Sequence, residues 1–264
     1  MLNLALDTVT DCGRFALADH EQVLLYRPLN IQGSYTDALL PVIQEMLAAA
    51  GRDKSELTGI GVATGPGSFT GVRIGVATAK GLAWALGAEL VGVLSLEAMA
   101  AALLGETDPA RELAVPVLDA RRGEVFAGLY RRRGAWVEPV LAPAAATPDR
   151  WWQRLVAALP DPGGPVYGGD GTGLLLGQGA GLRPELAARG TPALRDWTTA
   201  HPATAPALAR AMGDPAAGLP RSHPFTLLPD YLRVSDAEVK RRVDLTPTEP
   251  GDDVSSHRSE QAEP

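Results

Sequence analysis

One cysteine, Cys12, stands among 264 residues, so the chain can form no internal disulfide. The four histidines (His20, His201, His223, His257) are scattered, with no HExxH spacing, which excludes a dedicated structural zinc module. They suggest no Ser-His-Asp or Cys-His set either, so nucleophilic hydrolase chemistry has no visible machinery. A basic excess is missing: Lys and Arg total 24 against 31 Asp and Glu, a formal charge of −7, which disfavours autonomous binding to a phosphate backbone. Runs of about 18 apolar residues are absent, so no membrane helix is expected. The opening MLNLALDTVTDCG has neither a basic region nor a small-residue cleavage site, and it reads as a strand. A soluble, cytoplasmic protein is the expectation.

What is present is an apolar content of 45%, enough for one large globular unit or two small domains. Residues 244–264 carry six acids, one Arg and three aliphatic residues, too little apolar surface to offset ordering entropy. That acidic segment is expected to be disordered. Its net charge of −5 leaves −2 for residues 1–243. LNLALDT, RFALAD and EQVLLYRPLN read as three strands of an antiparallel meander. Residues 36–50 place Leu39, Leu40, Ile43, Met46 and Leu47 at helical spacing. A strand at 59–64 then runs into Gly65-Pro66-Gly67-Ser68-Phe69-Thr70-Gly71, followed by a helix over 72–86, a strand over 89–93 and a helix over 95–104. The pattern recurs in the second half. Strands at 112–121 and 124–131, AWVEPVL, a helix over 148–159 and a strand precede the Gly-rich turn 168–172. Both halves begin with a strand ending in Leu-Asp, Leu6-Asp7 and Leu118-Asp119. The reading is a duplicated α/β unit with its glycine turns facing one cleft. A late helix over 203–213 is expected to tie the halves together.

Gly65 to Gly71 lies between a strand and a helix, where backbone N–H groups and the helix dipole suit an anion. Its spacing matches neither the dinucleotide fingerprint nor a P-loop. The same residues equally suit a tight turn with close helix packing, capped by Ser68 or Thr70. Asp7 and Thr8, with Asp119 in the second half, fit a magnesium-nucleotide site, since magnesium takes few protein ligands. Each Asp equally suits a turn, accepting local N–H bonds. Arg121, Arg122 and Arg131-Arg132-Arg133 form a basic spot of the kind that usually marks a solvated strand end. Trp151 and Trp152 read as core packing.

LALDTVTDCGRFALAD, SYTDALLPVIQEML, GPGSFTGVRIGVATAKGLAWAL, VGVLSLEAMA, LDARRGEVFAGLY and PDYLR together resemble the bacterial TsaB (YeaZ) family of tRNA threonylcarbamoyladenosine biosynthesis. The resemblance spans nearly residues 1–233. It implies the actin, Hsp70 and sugar-kinase type of fold: two ribonuclease-H-like halves with mixed sheets flanked by helices. The domains would be 1–108, 112–243 with the late helix returning to the first, and the tail 244–264. In the related transferase TsaD an HxxxH pair binds a metal. Ser95 and Met99 stand at the matching places here, and neither is a ligand for the metals of such sites. The resemblance therefore implies a non-catalytic partner of TsaD, with the ATPase TsaE as third component and tRNA touched only indirectly. It points to Leu39, Leu40, Ile43, Met46 and Leu47 as the partner interface, and to a homodimer when the partner is absent. No cofactor is obligatory on this reading. ATP or ADP with magnesium at a weak or shared site, through Asp7, Thr8, Gly65, Pro66, Gly67, Ser68 and Asp119, is carried over by fold analogy. The alternative is a small-molecule kinase-like or ATP-binding enzyme of the same superfamily. A metallopeptidase lacks its histidines.

Overall fold

Six consecutive buried residues, Leu2–Asp7, make β1. A strand buried on both faces belongs at the centre of a sheet, covered above and below. In the computed structural model, which describes residues 1–30, 35–162, 164–177, 193–195 and 204–232, β1 occupies that place. It pairs antiparallel with β2 (Cys12–Asp19), which pairs antiparallel with β3 (Gln22–Asn30), in the expected meander. Helix α1 (Tyr35–Ala49) carries the chain back to β4 (Leu57–Ala63), parallel to β1. Helix α2 (Phe69–Leu86) returns it to β5 (Glu89–Val93), parallel to β4, and α3 (Ser95–Gly105) follows.

The second half repeats this order. Strands β6 (Leu113–Arg121), β7 (Glu124–Arg133) and β8 (Trp136–Ala146) form an antiparallel meander. Helix α4 (Pro148–Ala158) leads to β9 (Val166–Gly168), parallel to β6. The short α5 (Thr172–Leu176) precedes β10 (Ala193–Arg195), parallel to β9. Helix α6 (Thr204–Gly213) and β11 (Arg221–Ser222), antiparallel to β5, complete the described chain. The sheet orders β5-β4-β1-β2-β3 and β10-β9-β6-β7-β8 correspond strand for strand, with β11 added to the first edge. This is the duplicated α/β architecture the sequence led us to expect.

Side-chain alternation decides what covers each face. Leu2, Leu4 and Leu6 share a core with Leu39, Ile43 and Met46 of α1 and Val72, Val76 and Ala83 of α2. The opposite face presents Ala5, Ala16 and Ala18, small enough for α6 to approach through Ala205, Leu208 and Ala209. Helices α3 and α6 pack on each other, α6 against the first sheet and α3 against strands of the second. Beyond the second sheet, α4 and α5 cover Val115, Val117 and Leu129 with Trp151, Leu155 and Leu175. The layers thus run helix, sheet, helix, sheet, helix, and residues Met1–Leu232 form one packed unit. Among the described residues no helix is long and apolar enough to cross a membrane. The acidic segment 244–264 lies outside the described residues.

Candidate functional site

The C-terminal end of β1 meets the turn before α2. Asp7 accepts from Arg14 Nη1 at 3.0 Å and from the Val9 amide at 3.1 Å. It also accepts from the Thr204 hydroxyl at the start of α6. The Asp7 and Arg14 side chains are 3% and 2% exposed, a buried ion pair with its hydrogen bonds filled. Sequence reasoning leaves Asp7 between a hydrated cation and a turn that accepts local N–H bonds; the structure gives it the Val9 amide of the turn and, in place of a cation, an arginine. Thr8 donates to the Gly71 carbonyl at 2.7 Å, deep in the protein. A Cβ at Gly71 would lie 2.0 Å from the Thr8 carbonyl oxygen, and one at Gly75 2.2 Å from Thr8 Oγ1. These two glycines, one turn apart, let α2 lie directly on the end of β1.

The turn itself is closed in the same manner. The Gly65 amide donates to Ser95 Oγ at 3.1 Å, and the Ser95 amide donates to the Gly65 carbonyl at 2.7 Å. The Ser68 amide donates to the Val9 carbonyl at 2.6 Å, while Ser68 Oγ accepts from Gly71 at 3.3 Å and so caps α2. A Cβ at Gly67 would sit 2.4 Å from the Val9 oxygen, and Pro66 is buried. Of the two readings open from sequence, close packing with a Ser68 cap describes what these groups do here. The amides of Gly65 and Ser68 face protein carbonyls and a hydroxyl, where an anion cradle would leave them open.

In the second half, Asp119 Oδ1 accepts from the Arg121 amide at 2.7 Å, and the Asp119 amide donates to Asp170 at 2.8 Å. Arg121 and Arg122 both adopt positive φ, 63° and 58°, in the hairpin that this carboxylate braces. Asp119 is therefore a turn residue of the kind its position also allowed. A Cβ at Gly169 would meet the Val117 oxygen at 1.9 Å, so the 168–172 turn packs on β6 as the 65–68 turn packs on β1.

Ser95 and Met99 lie one turn apart on α3, both buried. Ser95 is the hydroxyl that ties Gly65. Met99 packs toward the other lobe, its Cε lying 2.9 Å from where a Cβ at Gly169 would stand. Among the described residues no group of three His, Cys, Asp or Glu could hold a metal.

The α1 stripe needs correction as an interface. Leu39, Ile43, Met46 and Leu47 are at most 5% exposed and belong to the core over the first sheet; Leu40 alone is exposed, at 51%. A five-residue stripe spans more arc than one contact requires, and the first sheet claims most of it. Sequence reasoning missed a larger apolar surface on α2 and on a strap, residues 219–232, that runs beside it. Trp84 is 65% exposed, Phe225 66% and Leu228 70%, with Phe69 and Tyr231 also exposed. Trp84 and Phe225 meet edge to face at 4.7 Å, and Phe69 and Tyr231 lie 5.3 Å apart. Arg73 donates to Tyr231 Oη at 2.8 Å with its guanidinium 3.7 Å over the Phe69 ring. Lys80 holds the Leu227 carbonyl at 2.9 Å, and the Asp230 amide donates to Thr64 at 2.7 Å. The available signal was the clustering of aromatics in a segment between Pro220 and Tyr231 that belongs to no long element. The basic spot is partly structural, since Arg132 donates to the Leu104 carbonyl at 2.6 Å, at the end of α3. Trp151 and Trp152 are core, as expected.

The family described as tRNA N6-adenosine threonylcarbamoyltransferase, TsaD, matches residues 27–167. The tRNA threonylcarbamoyladenosine biosynthesis protein TsaB of Bacillus subtilis is 30% identical over 242 residues, 91% of this chain and 97% of that protein. TsaB of Escherichia coli is 38% identical over 148 residues, 53% of this chain and 62% of that protein. Among solved structures, YeaZ from Pseudomonas aeruginosa superposes with a TM-score of 0.68 at 28% identity, covering 87% of this chain and 99% of that one.

Proposed function

The chain belongs to the TsaB family of tRNA threonylcarbamoyladenosine biosynthesis, and from that premise we propose that it is a non-catalytic subunit that binds and activates a TsaD-type transferase, with a TsaE-type ATPase as third component. The observation that carries this reading is the state of α3. At the places where the transferase resemblance puts metal-binding histidines, Ser95 holds a backbone amide and Met99 fills space between the lobes. A thioether in an apolar contact and a hydroxyl already accepting a hydrogen bond offer nothing to a hard or borderline cation.

The partner docks on the apolar face that the fold leaves open: Phe69 and Trp84 of α2, Leu40 of α1, and Phe225 and Leu228 of the strap. Exposed aromatics paired as Trp84 with Phe225 and Phe69 with Tyr231 cost solubility unless covered, and aromatic anchors dominate the energetics of interfaces. With the partner absent, the same face pairs two copies of the chain into a homodimer. Contact with tRNA is indirect, the charge of residues 1–243 being −2, and the reaction places the protein in the cytoplasm. No cofactor of its own enters this reading. Any ATP or ADP with magnesium is held at a site a partner completes, because Asp7, Thr8, Gly65 and Ser68 engage their polar atoms internally.

The test is an omission assay with TsaD, TsaE, the carbamoyl-adenylate synthase, tRNA, threonine, bicarbonate and ATP, reading modified adenosine by mass spectrometry. Product that forms only when this chain is added, with the chain inert alone, supports the reading; equal product without it overturns the reading. Trp84→Ser, on the exposed face of α2, is expected to abolish both complex and product while leaving the melting temperature unchanged.

A further inference from the structure

Asn3 of β1 is wholly buried, and neither its amide nitrogen nor its oxygen has a hydrogen-bond partner among the described residues. Buried polar groups are nearly always paired in native proteins, so a core amide with both ends unpaired calls for a physical reason. Its neighbour supplies one. A Cβ at Gly59 of β4 would lie 2.4 Å from Asn3 Oδ1 and 2.9 Å from Met212 Cε, and a Cβ at Gly61 would lie 2.5 Å from Met212 Sδ. These two glycines share one face of the strand. The thioether of Met212, near the C-terminal end of α6, therefore runs along β4 with its methyl end beside the Asn3 amide. Met212 is half-buried, whereas Met46 and Met99 are at most 2% exposed.

A thioether is a weak acceptor and gives the Asn3 amide little. Its sulfoxide is polar and accepts strongly. We propose that Met212 is a site of oxidation by peroxides, and that the sulfoxide oxygen is received by the amide of Asn3. In the step, the Sδ lone pair attacks one oxygen of hydrogen peroxide, the O–O bond breaks, an S–O bond forms and water leaves. The thioether loses two electrons and the peroxide gains them. A sulfoxide reductase with a dithiol returns the thioether, the dithiol leaving as a disulfide and the oxygen as water. In most packed sites a methionine sulfoxide buries an unpaired dipole and loosens the core. Here an unpaired donor already stands beside the oxidised group. Helix α6 packs on β1, β2 and β4 of the first sheet and on α3, which packs on the second. A hydrogen bond from Asn3 to oxidised Met212 thus pins the helix that lies between the two sheets.

The test treats the full chain with dilute hydrogen peroxide and follows each methionine by peptide mass spectrometry. Met212 is expected to oxidise well before Met46 and Met99. The melting temperature of the oxidised chain, read against Met212→Leu treated in the same way to remove effects at Met1 and Cys12, is expected to hold or rise. In Asn3→Leu the sulfoxide has no donor, and oxidation is expected to lower the melting temperature by about 3 °C or more. Met212→Gln carries an amide oxygen at similar reach without any oxidant. It is expected to melt at or above Met212→Leu, a comparison that does not depend on Asn3→Leu folding. Three results each overturn the proposal: Met212 oxidising no faster than the two buried methionines, the oxidised native chain losing as much as oxidised Asn3→Leu, or Met212→Gln melting well below Met212→Leu. The outcome is independent of the transferase reading, because no partner protein enters the experiment.

Discussion

Asp7 shows how one residue type at one position leaves its role open until its neighbours are known. A strand-end aspartate suits a cation site and a structural ion pair equally well; Arg14, seven residues away across the β1–β2 hairpin, selects the second. Removing one member of a buried pair strands the other charge in low dielectric, typically at a cost of about 3–5 kcal/mol. Arg14→Met is accordingly expected to lower the unfolding free energy obtained from urea titration by an amount in that range, and a change below about 1 kcal/mol would show that Asp7 can reach water. Glu97 and Asp230 make the pH dependence testable. Their folded carboxyls are raised above the ordinary values of 4.5 and 3.8. The native state therefore holds protons that the unfolded chain has released, and their contribution to stability is full below the ordinary values and lost as pH rises through the raised ones. Stability is expected to fall with rising pH across that window, and Glu97→Gln to flatten the slope in urea titrations run at successive pH values.

At the scale of elements, glycine in α2 is the informative case. Helix propensity alone favours replacing Gly75 with alanine by about 1 kcal/mol. The added Cβ, however, would stand 2.2 Å from Thr8 Oγ1 in a closely packed contact. Overpacking of that kind costs about 1–3 kcal/mol, so Gly75→Ala is expected to lower the melting temperature; a rise would mean that α2 can shift off β1. Helix α1 gives the complementary test. Ile43→Glu puts an unpaired carboxylate into the core over the first sheet and is expected to abolish the cooperative thermal transition. Leu40→Glu, at a position 51% exposed, leaves that transition in place and weakens partner binding. The elements themselves were well marked in the sequence, because each carries a clear period: 2 in the meander strands, 3.6 in α1 and α2. The division of α1 into core and surface was not marked. Periodicity shows that a face is apolar, and only the packed neighbours show how wide a sheet covers it.

Across the whole molecule, the duplication places two glycine turns at corresponding points of two sheets, and in both the glycines admit a backbone carbonyl: Val9 at Gly67 and Val117 at Gly169. Calorimetry of the isolated chain with ATP and magnesium is therefore expected to give no saturable heat; a saturable isotherm lost in Asp119→Asn would restore the nucleotide site. The sequence by itself determined the repeated order of strands and helices and the missing histidines, because these rest on local periodicity and on residue identity. It also carried the resemblance to the TsaB family. Tertiary structure alone decided that Asp7 faces Arg14, that the 65–68 turn is closed, and that α1 turns most of its stripe inward. It also brought Glu97 and Asp230, far apart in the chain, together at one pocket. Contacts of long sequence separation leave no periodic trace in the chain, so their partners are set only when the layers pack.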